Sequence, residues 1–403
     1  MSEIFHGSFT QQEPIPQAGI DAALAVMKHG RLHRYNTSGD EIAETAQLEV
    51  EFAAQTGARY CLAVASGGYA MTTALRACRV GHGDKVLTNA FTLAPVPGAI
   101  AAVGAEPVYV GVTQDLVIDL DDLATKLPLA KTLLLSHMRG HICDMGRLMT
   151  LCDNAGVTVI EDCAHTMGAA WDGVPSGRWG KFGCYSTQTY KHVNSGEGGL
   201  LISDDSKAMA RAIMLSGSYM LFEKHRAAPP PETFAQIKYE TPNISGRMDN
   251  LRAAILRPQL RDLGTLAQRW NDRYRVLEDA LAQTTGLKLP VRPAAESFVA
   301  SSFQFLLLDW STDAVSEVLA RCKSRGVELK WFGGAEPAGF TSRYDSWRYA
   351  PSPAMPDTDR ILAGIIDMRL PLTFSLEDCA MIGRIINDVV NTVYQGQAAQ
   401  SRG

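Results

Sequence analysis

Short apolar runs alternate with longer amphipathic stretches over the first two hundred residues of the chain. The apolar runs lie at residues 61–65, 85–88, 107–110, 132–135, 157–161, 182–186 and 199–202. Apolar residues with helical spacing lie between most of these runs, at 70–79, 94–102, 144–155 and 207–215. Uninterrupted apolar runs are typical of strands buried on both faces, and intervening helices are typical of parallel connections. The pattern predicts an α/β fold in which a seven-stranded, mainly parallel sheet lies between helices.

The pattern changes after residue 250, where a long helical pattern covers 250–282. An apolar run and two helical patterns follow and predict a smaller α+β unit, at 303–308, 312–325 and 376–393. We place the domain boundary inside the long helix. The predicted units are an N-terminal arm, a large domain and a small C-terminal domain, at residues 1–30, 31–255 and 256–403.

Composition and charge exclude several classes of protein. Of the 403 residues, 46% are hydrophobic and 20% are charged, which is ordinary for a globular chain and excludes disordered or coiled-coil chains. A net charge of -5 argues against nucleic acid as a partner. The weakly polar stretch 91–105 is too short to span a membrane, and the first residues lack the apolar stretch of a signal peptide. We expect a cytoplasmic protein that does not bind a membrane.

The eight cysteines are scattered and form no C-x-x-C pair. This spacing favours neither a zinc site nor a disulfide framework. The sequence therefore predicts buried thiols in a reducing compartment and no bound metal.

Three motifs lie at the carboxyl ends of predicted strands, where open α/β sheets bind their ligands. The first is Ser66-Gly67-Gly68, which follows one strand and precedes a helix. Small residues at a helix N-terminus let backbone N–H groups approach an anion, so this motif predicts a phosphate site. A tight strand-to-helix turn is the alternative.

The second motif is the acidic pair Glu161-Asp162, with His165 three residues later. Carboxylates that close a buried strand need a cationic or hydrogen-bonding partner, which favours a ligand contact. A purely structural hydrogen bond between Asp162 and His165 is the alternative.

The third motif is Lys191, which follows the strand ending at Ser186 and precedes a glycine-rich turn. A lysine held in cationic or apolar surroundings loses its proton more readily and can form a Schiff base with a carbonyl. A surface lysine is the alternative for this motif alone. Together, a phosphate site, a carboxylate for a pyridinium N–H and a Schiff-base lysine are what pyridoxal 5'-phosphate (PLP) needs.

The chain resembles the DegT/DnrJ/StrS family of PLP-dependent sugar aminotransferases, which have the aspartate aminotransferase fold. The resemblance rests on ASGGYAMTTALRA, VTVIEDCAHTMGA, GCYSTQTYKHVNSGEGGLLISDD, RMDNLRAAILRPQL and RLPL, in family order. It implies a PLP-dependent transaminase that moves an amino group from glutamate or glutamine to an oxo-sugar or a related keto or aldehyde acceptor. It also implies a homodimer with shared active sites.

By position, the resemblance implies roles for individual residues. Lys191 would hold the cofactor and move a proton, Asp162 would pair with the pyridine nitrogen, and His165 would contact the cofactor ring. The implied phosphate ligands are Ser66, Gly67, Gly68 and Ser186, together with Ser245 reaching into the neighbouring subunit. The sequence departs from the family at Gly68, which replaces a threonine. In the family, an aromatic residue usually covers the cofactor ring. This sequence has Leu93 at that position and Phe91 two residues earlier, so which of the two covers the ring is left open.

Two other functions remain open at this stage. Sugar dehydratases of the same family have a histidine in place of the lysine, and here His192 lies one position away from Lys191. A noncatalytic PLP-binding regulatory protein with the same fold is the other alternative. The presence of both Asp162 and Lys191 favours the transaminase.

An anionic acceptor is predicted from the loop after the fourth strand. Arg139 offers a planar fork suited to a carboxylate or phosphate. The other candidate substrate-binding residues are His33, Arg34, His137 and Tyr190. The short segments RYN, HM-x-G and GCYS also resemble the branch of the family that aminates an eight-carbon keto-sugar acid. An arginine paired with a structural acid is the alternative for Arg139.

Overall fold

The computed structural model describes residues 3–400 of the chain. The first two and the last three residues of the predicted arm and small domain lie outside the described part. Within residues 3–400, every helix is too short or too polar to cross a membrane.

A seven-stranded sheet forms the centre of the large domain. Its strands are β1 Tyr60–Val64, β2 Lys85–Asn89, β3 Glu106–Val110, β4 Thr132–Ser136, β5 Thr158–Asp162, β6 Phe182–Ser186 and β7 Gly199–Ser203. Their order across the sheet is β1-β7-β6-β5-β4-β2-β3. Strand β7 runs antiparallel to β1 and β6, and the other pairs are parallel. The predicted fold class is confirmed, and each strand lies within one or two residues of its predicted bounds.

Nearly all strand positions of this sheet are buried, because helices cover both of its faces. The helices before and within the large domain are α1 Gln17–His29, α2 Glu44–Thr56, α3 Gly67–Ala77, α4 Pro95–Ala102, α5 Leu120–Lys126, α6 Met145–Ala155, α7 Ser206–Leu215, α8 Phe234–Glu240 and α9 Asn250–Arg261. Helices α3, α4 and α7 pack with one face of the sheet in a single apolar cluster. Burial of these apolar side chains is the main stabilising contribution to this layer.

The second, smaller unit is built around a three-stranded antiparallel sheet. Its strands are β8 Ser302–Leu306, β9 Lys330–Trp331 and β10 Ile365–Arg369, in the order β8-β10-β9. Its helices are α10 Leu263–Leu281, α11 Thr312–Ser324, α12 Pro356–Gly364 and α13 Leu376–Gln400. A separate ribbon of two-residue strands joins the two units, at Ala170–Trp171, Val174–Pro175 and Glu296–Ser297.

The long helix predicted at 250–282 is two helices, α9 and α10, which meet at Asp262. Pro258 lies inside α9 and removes one helical N–H donor. Helix α9 packs against α1 and α2, whereas α10 packs against α13. The change of packing partners therefore falls at Asp262, a few residues after the boundary predicted between residues 255 and 256. The domain boundary itself stays a prediction.

The N-terminal arm contacts both units. Phe5 and Phe9 are buried and make edge-to-face contacts with Phe374 in the small unit. Helix α1 then packs on α9. Residues 3–30 thus pack against both units.

Candidate active site

A cavity of about 410 Å³ opens at the carboxyl ends of the central strands. The turns that follow β1, β4, β5 and β6 line one side, and the segment 337–347 of the small unit lines the other. Cavities of this size are typical of small-molecule sites, and this edge of an α/β sheet is where such sites usually lie.

One end of the cavity is formed by small residues and is called the glycine end here: Ser66, Gly67, Gly68 and Ser186. Ser66 caps α3, because its Oγ accepts a hydrogen bond from the N–H of Tyr69 at 3.1 Å. A Cβ on Gly67 would lie 2.8 Å from the Cβ of Ser186, so the backbone approaches this serine as closely as only glycine allows. The first residues of α3 thus line the cavity, and the N-terminus of a helix is a place where phosphate binds.

Asp162 lines the cavity from the end of β5. Its carboxylate accepts hydrogen bonds from the Ser136 hydroxyl at 3.1 Å and from the Ala164 N–H at 3.1 Å. Burial raises the pKa of Asp162 despite these two donors and the nearby Lys191. The carboxylate is therefore held in place but has less compensating positive charge than its burial requires.

Lys191 reaches the same cavity, and its Nζ lies 2.7 Å from Nε2 of His165. Burial lowers the pKa of Lys191 to about 7, and the positive charge of Arg139 adds to this effect. Burial and the Lys191 charge also hold the pKa of His165 well below its usual value. A neutral lysine amine and a neutral imidazole are the forms suited to bond formation and proton transfer near pH 7.

The other acidic residue of the pair, Glu161, points to the opposite side of β5, because successive strand residues face opposite ways. Its carboxylate accepts from three backbone N–H groups, those of Gly177, Trp179 and Gly180, at 2.7 to 2.9 Å. His137 bonds to it at 3.0 Å through Nε2. The structure therefore places His137 in a buried structural network on the far side of the strand, outside the cavity.

A second, smaller cavity adjoins the first at Lys191 and His165. Three positively charged side chains line it and define what we call the cationic end: Arg139, Lys330 and Arg369. Tyr190 also lines this end, beneath the Arg369 guanidinium, which lies 3.6 Å from the centre of the tyrosine ring. Arg139 has a positive φ of 56°, which non-glycine residues seldom adopt, in the turn Met138–Gly140.

Sequence reasoning missed Lys330 and Arg369. A signal for Arg369 existed, because polar residues alternate with apolar ones in Ile365–Arg369, so that residues 367 and 369 share one face of the strand. Lys330 lies in a strand of only two residues and gave no comparable signal.

The structure separates the remaining candidates. Leu93 lines the cavity, whereas Phe91 is buried against Phe332 at 5.1 Å between ring centres. Arg34 lies outside the cavity, because its guanidinium contacts both carboxylate oxygens of Glu49 at 2.9 Å in a fully buried ion pair. The tertiary fold thus makes Arg34 a structural residue.

His33 and Ser245 are both exposed and do not line this cavity. His33 lies close enough to Arg247 for that positive charge to lower its pKa, after the larger effect of burial. Within the described chain, the fold therefore brings neither residue into the lining of this site.

Two relatives are sugar-modifying enzymes. A protein of Micromonospora megalomicea subsp. nigra, dTDP-3-amino-3,4,6-trideoxy-alpha-D-glucose transaminase, is 32% identical over 254 residues, covering 60% of this chain and 64% of that protein. A protein of Acidithiobacillus ferrooxidans, UDP-N-acetyl-3-dehydro-alpha-D-glucosamine 3-aminotransferase, is 28% identical over 325 residues, covering 77% and 82% of the two chains. The match thus spans less than two thirds of the Micromonospora protein.

Structural comparison agrees with the fold described above. The crystal structure of 3-amino-5-hydroxybenzoic acid (AHBA) synthase matches with a TM-score of 0.81 at 22% identity, covering 95% of this chain and 99% of that chain. A family model matches residues 18–389 of this chain. The resemblance inferred from the sequence is thereby confirmed: the chain belongs to the DegT/DnrJ/EryC1/StrS aminotransferase family.

Proposed function

We propose that the protein is a PLP-dependent aminotransferase that moves an amino group from glutamate or glutamine to an oxo-sugar or a related keto or aldehyde acceptor. The observation that carries this proposal is the convergence of Lys191, Asp162 and the glycine end on one cavity. Family membership supports the same reaction class.

The residues present fit PLP. Asp162 has a pKa raised by burial and lacks full compensation, so a protonated pyridine nitrogen would supply the missing positive charge. Gly67 lets the N-terminus of α3 approach Ser186 closely, so Ser66 and Ser186 would hold the phosphate together at this helix end. Leu93 and His165 would lie against the ring. When bound, PLP supplies a ring that withdraws electrons from the substrate carbon.

The protein's own contribution is to hold and move a proton. Lys191 has a pKa of about 7, so its Nζ can both release and accept a proton under neutral conditions. His165 fixes that nitrogen at 2.7 Å, and its own Nδ1 accepts from the backbone N–H of Arg139 at 3.4 Å. With Nδ1 as acceptor, Nε2 carries the proton of the neutral ring and donates to a neutral Lys191.

The environment of His192 disfavours a dehydratase. The imidazole packs against Trp270 at 5.2 Å between ring centres, and burial lowers its pKa to about 3. It lines a different cavity, beside residues 12–16 of the N-terminal arm, and Asp162 does not line that cavity. Lys191 therefore remains the residue suited to cofactor chemistry.

The absorption spectrum of the purified holoenzyme tests the reaction class. Adding glutamate should convert the aldehyde form of the cofactor to the amine form and release one equivalent of 2-oxoglutarate. A noncatalytic regulatory protein would keep its spectrum unchanged with both glutamate and glutamine. A panel of oxo-sugars added to the isolated amine form would then identify the acceptor.

We also propose a homodimer in which Ser245 reaches the phosphate held by the neighbouring subunit. The surface beside Ser245 carries exposed apolar side chains, Tyr219, Met220 and Ile244, with 47–57% of their surface accessible. Exposed apolar clusters of this kind are typical of protein interfaces.

A mixing experiment tests the shared site. Arg247, two positions after Ser245, is replaced together with it so that the positive charge beside Ser245 is removed as well. A Lys191→Ala chain and a Ser245→Ala/Arg247→Ala chain should each be inactive alone, and a mixture should recover part of the activity in heterodimers. If both variants dimerise with each other and no mixture recovers activity, each site is contained within one chain.

A further inference from the structure

The small sheet has one apolar and one polar face. Ile366 and Met368 of β10 point into the apolar core of the small unit. Asp367 and Arg369 alternate with them and so share the other face, and Lys330 of β9 pairs directly with Asp367. Arg369 and Lys330 line the cavity, so this polar face closes the active site from the small unit.

Positive charge exceeds negative charge at this face. The side chain of Asp367 is fully buried, and its Oδ2 lies 2.8 Å from Nη2 of Arg139 and 3.9 Å from Nζ of Lys330. Its Oδ1 accepts a hydrogen bond from Nε2 of Gln304 at 2.8 Å. The cationic end thus has three cations and one carboxylate, which lies beside Arg139 and Lys330, and one oxygen of that carboxylate is already engaged by an amide.

Three buried donor atoms at this end make no hydrogen bond in the described part of the chain: Nε and Nη2 of Arg139 and Nζ of Lys330. Oδ2 of Asp367, which lies 2.8 Å from that Nη2, makes none either, and this one acceptor cannot satisfy all three donors. Burial also lowers the pKa of Lys330 to about 8, an effect that Asp367 offsets only in part and that the charge of Arg139 increases. Buried donors without a partner are costly, and an anion that accepts from them removes that cost.

The Arg369 side chain is held in position by aromatic rings. Its guanidinium lies over Tyr190 at 3.6 Å and 5.1 Å from the centre of the Phe340 ring. A stacked guanidinium keeps its edge N–H groups free for a planar acceptor such as a carboxylate.

We infer that Lys330 and Arg369, together with Arg139, bind a carboxylate of the substrate. This inference rests on the proposed function in one respect: the substrate reacts next to Lys191. Asp367 holds Arg139 in place but does not neutralise the positive charges of Lys330 and Arg369. Those two charges are therefore available to the carboxylate of the substrate. A neutral oxo-sugar would leave these donors unsatisfied, so the site favours an amino donor or an acceptor that carries a carboxylate.

Binding of glutarate to the holoenzyme, measured by isothermal titration calorimetry, tests the subsite without requiring turnover. Glutarate has two carboxylates and no amino group, so it cannot react, and bound PLP occupies the glycine end. Lys330→Gln and Arg369→Gln should each weaken glutarate binding by about tenfold or more, as expected for the loss of a charged hydrogen bond. Arg360→Gln is the matched control, because Arg360 pairs with Asp309 on the surface.

Charge-preserving variants separate binding from folding. Lys330→Arg and Arg369→Lys should restore a large part of the affinity, and pentane-1,5-diol, the neutral analogue, should not bind. Wild-type holoenzyme that does not bind glutarate, or equal affinity in wild type and both glutamine variants, would overturn the inference. Failure of transamination with intact glutarate binding would overturn the proposed function alone.

Single-turnover measurements then identify which substrate carries the carboxylate. Slower conversion of the cofactor by glutamate in the glutamine variants assigns the subsite to the amino donor. If glutamate converts the cofactor at the normal rate but an oxo-sugar acid returns the amine form to the aldehyde form more slowly, the subsite belongs to the acceptor. Normal rates in both directions would overturn the inference.

Discussion

The glycine end and the cationic end of the cavity are built from different parts of the chain. The glycine end uses the turn Ser66-Gly67-Gly68 and the N-terminus of α3, so most of its hydrogen-bond donors belong to the backbone. The cationic end uses the side chains of Arg139, Lys330 and Arg369, which come from one loop of the large domain and two strands of the small unit.

This difference has a functional consequence. Backbone donors at a helix N-terminus are fixed by the fold and suit a cofactor phosphate that does not change during turnover. Side chains from two packed units depend on how those units meet, so the packing of the small unit decides where two of the three charges lie. We expect the glycine end to set cofactor affinity and the cationic end to set substrate choice.

The largest expected effect comes from Lys191, which lies between the two ends. Lys191→Ala removes the amine that would bind the cofactor covalently and move the proton, so turnover with glutamate should fall by about three orders of magnitude or more. Borohydride reduction followed by mass spectrometry should show no cofactor attached to the variant. Lys85→Ala, at an exposed lysine, is the control, and near-normal turnover of Lys191→Ala would disprove the assignment.

A smaller effect on the glycine end is expected for Asp162→Asn. The amide keeps the shape but removes the negative charge that would pair with the pyridine nitrogen, and a charged hydrogen bond contributes about 1.5–3 kcal/mol. The dissociation constant of PLP should therefore rise by about one to two orders of magnitude in an absorbance titration. Unchanged affinity and activity would show that Asp162 only supports the end of β5 through Ser136 and Ala164.

Gly67→Ala tests the close approach of the backbone to Ser186. The new Cβ would lie 2.8 Å from the Ser186 Cβ, and overpacking of this kind costs about 1–3 kcal/mol. We expect weaker PLP binding in a fluorescence titration, with little change in glutarate binding at the cationic end. Gly81→Ala is the matched control, because nothing lies within 4 Å of its Cβ position. Equal PLP affinity in both variants would show that the glycine end can accommodate the added Cβ.

The smallest expected effect is a shift in the pH dependence of PLP attachment to Lys191. It tests whether a charge at the cationic end influences this lysine. Lys191 has a pKa lowered to about 7 by burial and then by Arg139, and only the neutral amine attacks an aldehyde. The rate at which PLP attaches to the cofactor-free protein should therefore rise with pH through about 7 and level off above it. Arg139→Gln removes a positive charge, so the midpoint should move to higher pH.

Stopped-flow absorbance measures these midpoints, with Arg360→Gln as the control variant. Arg369 and Asp367 remain near Lys191 in the Arg139→Gln protein, and their opposite charges act on the amine in opposite directions. A midpoint that does not move on loss of Arg139 would mean that the two ends are electrically independent.

Much of the large domain could be predicted from the sequence because its structure is locally encoded. Strands buried on both faces must be continuously apolar, so β1 to β7 are visible as runs, and their order along the chain brings the three motifs to one edge. The Ser66-Gly67-Gly68 turn joins a strand directly to a helix, which makes its role readable from neighbouring residues. Family resemblance added the individual roles of Asp162 and Lys191, which remain proposals.

Long-range contacts were not readable in this way. The pairing of Arg34 with Glu49, the turning of His137 towards Glu161 and the burial of Phe91 against Phe332 depend on which way a side chain points after folding. The break between α9 and α10 at Asp262 was hidden by a continuous helical pattern.

The sequence by itself determined the sheet, its flanking helices and the local motifs around Ser66, Asp162 and Lys191, since each depends on residues close together in the chain. Only the tertiary structure decided that Lys330 and Arg369 meet Arg139 at the same cavity. Those residues are separated by up to two hundred and thirty positions, and their meeting depends on packing of the small unit against the large domain. Burial then makes their excess charge significant, because positive charges removed from water need an anion to balance them.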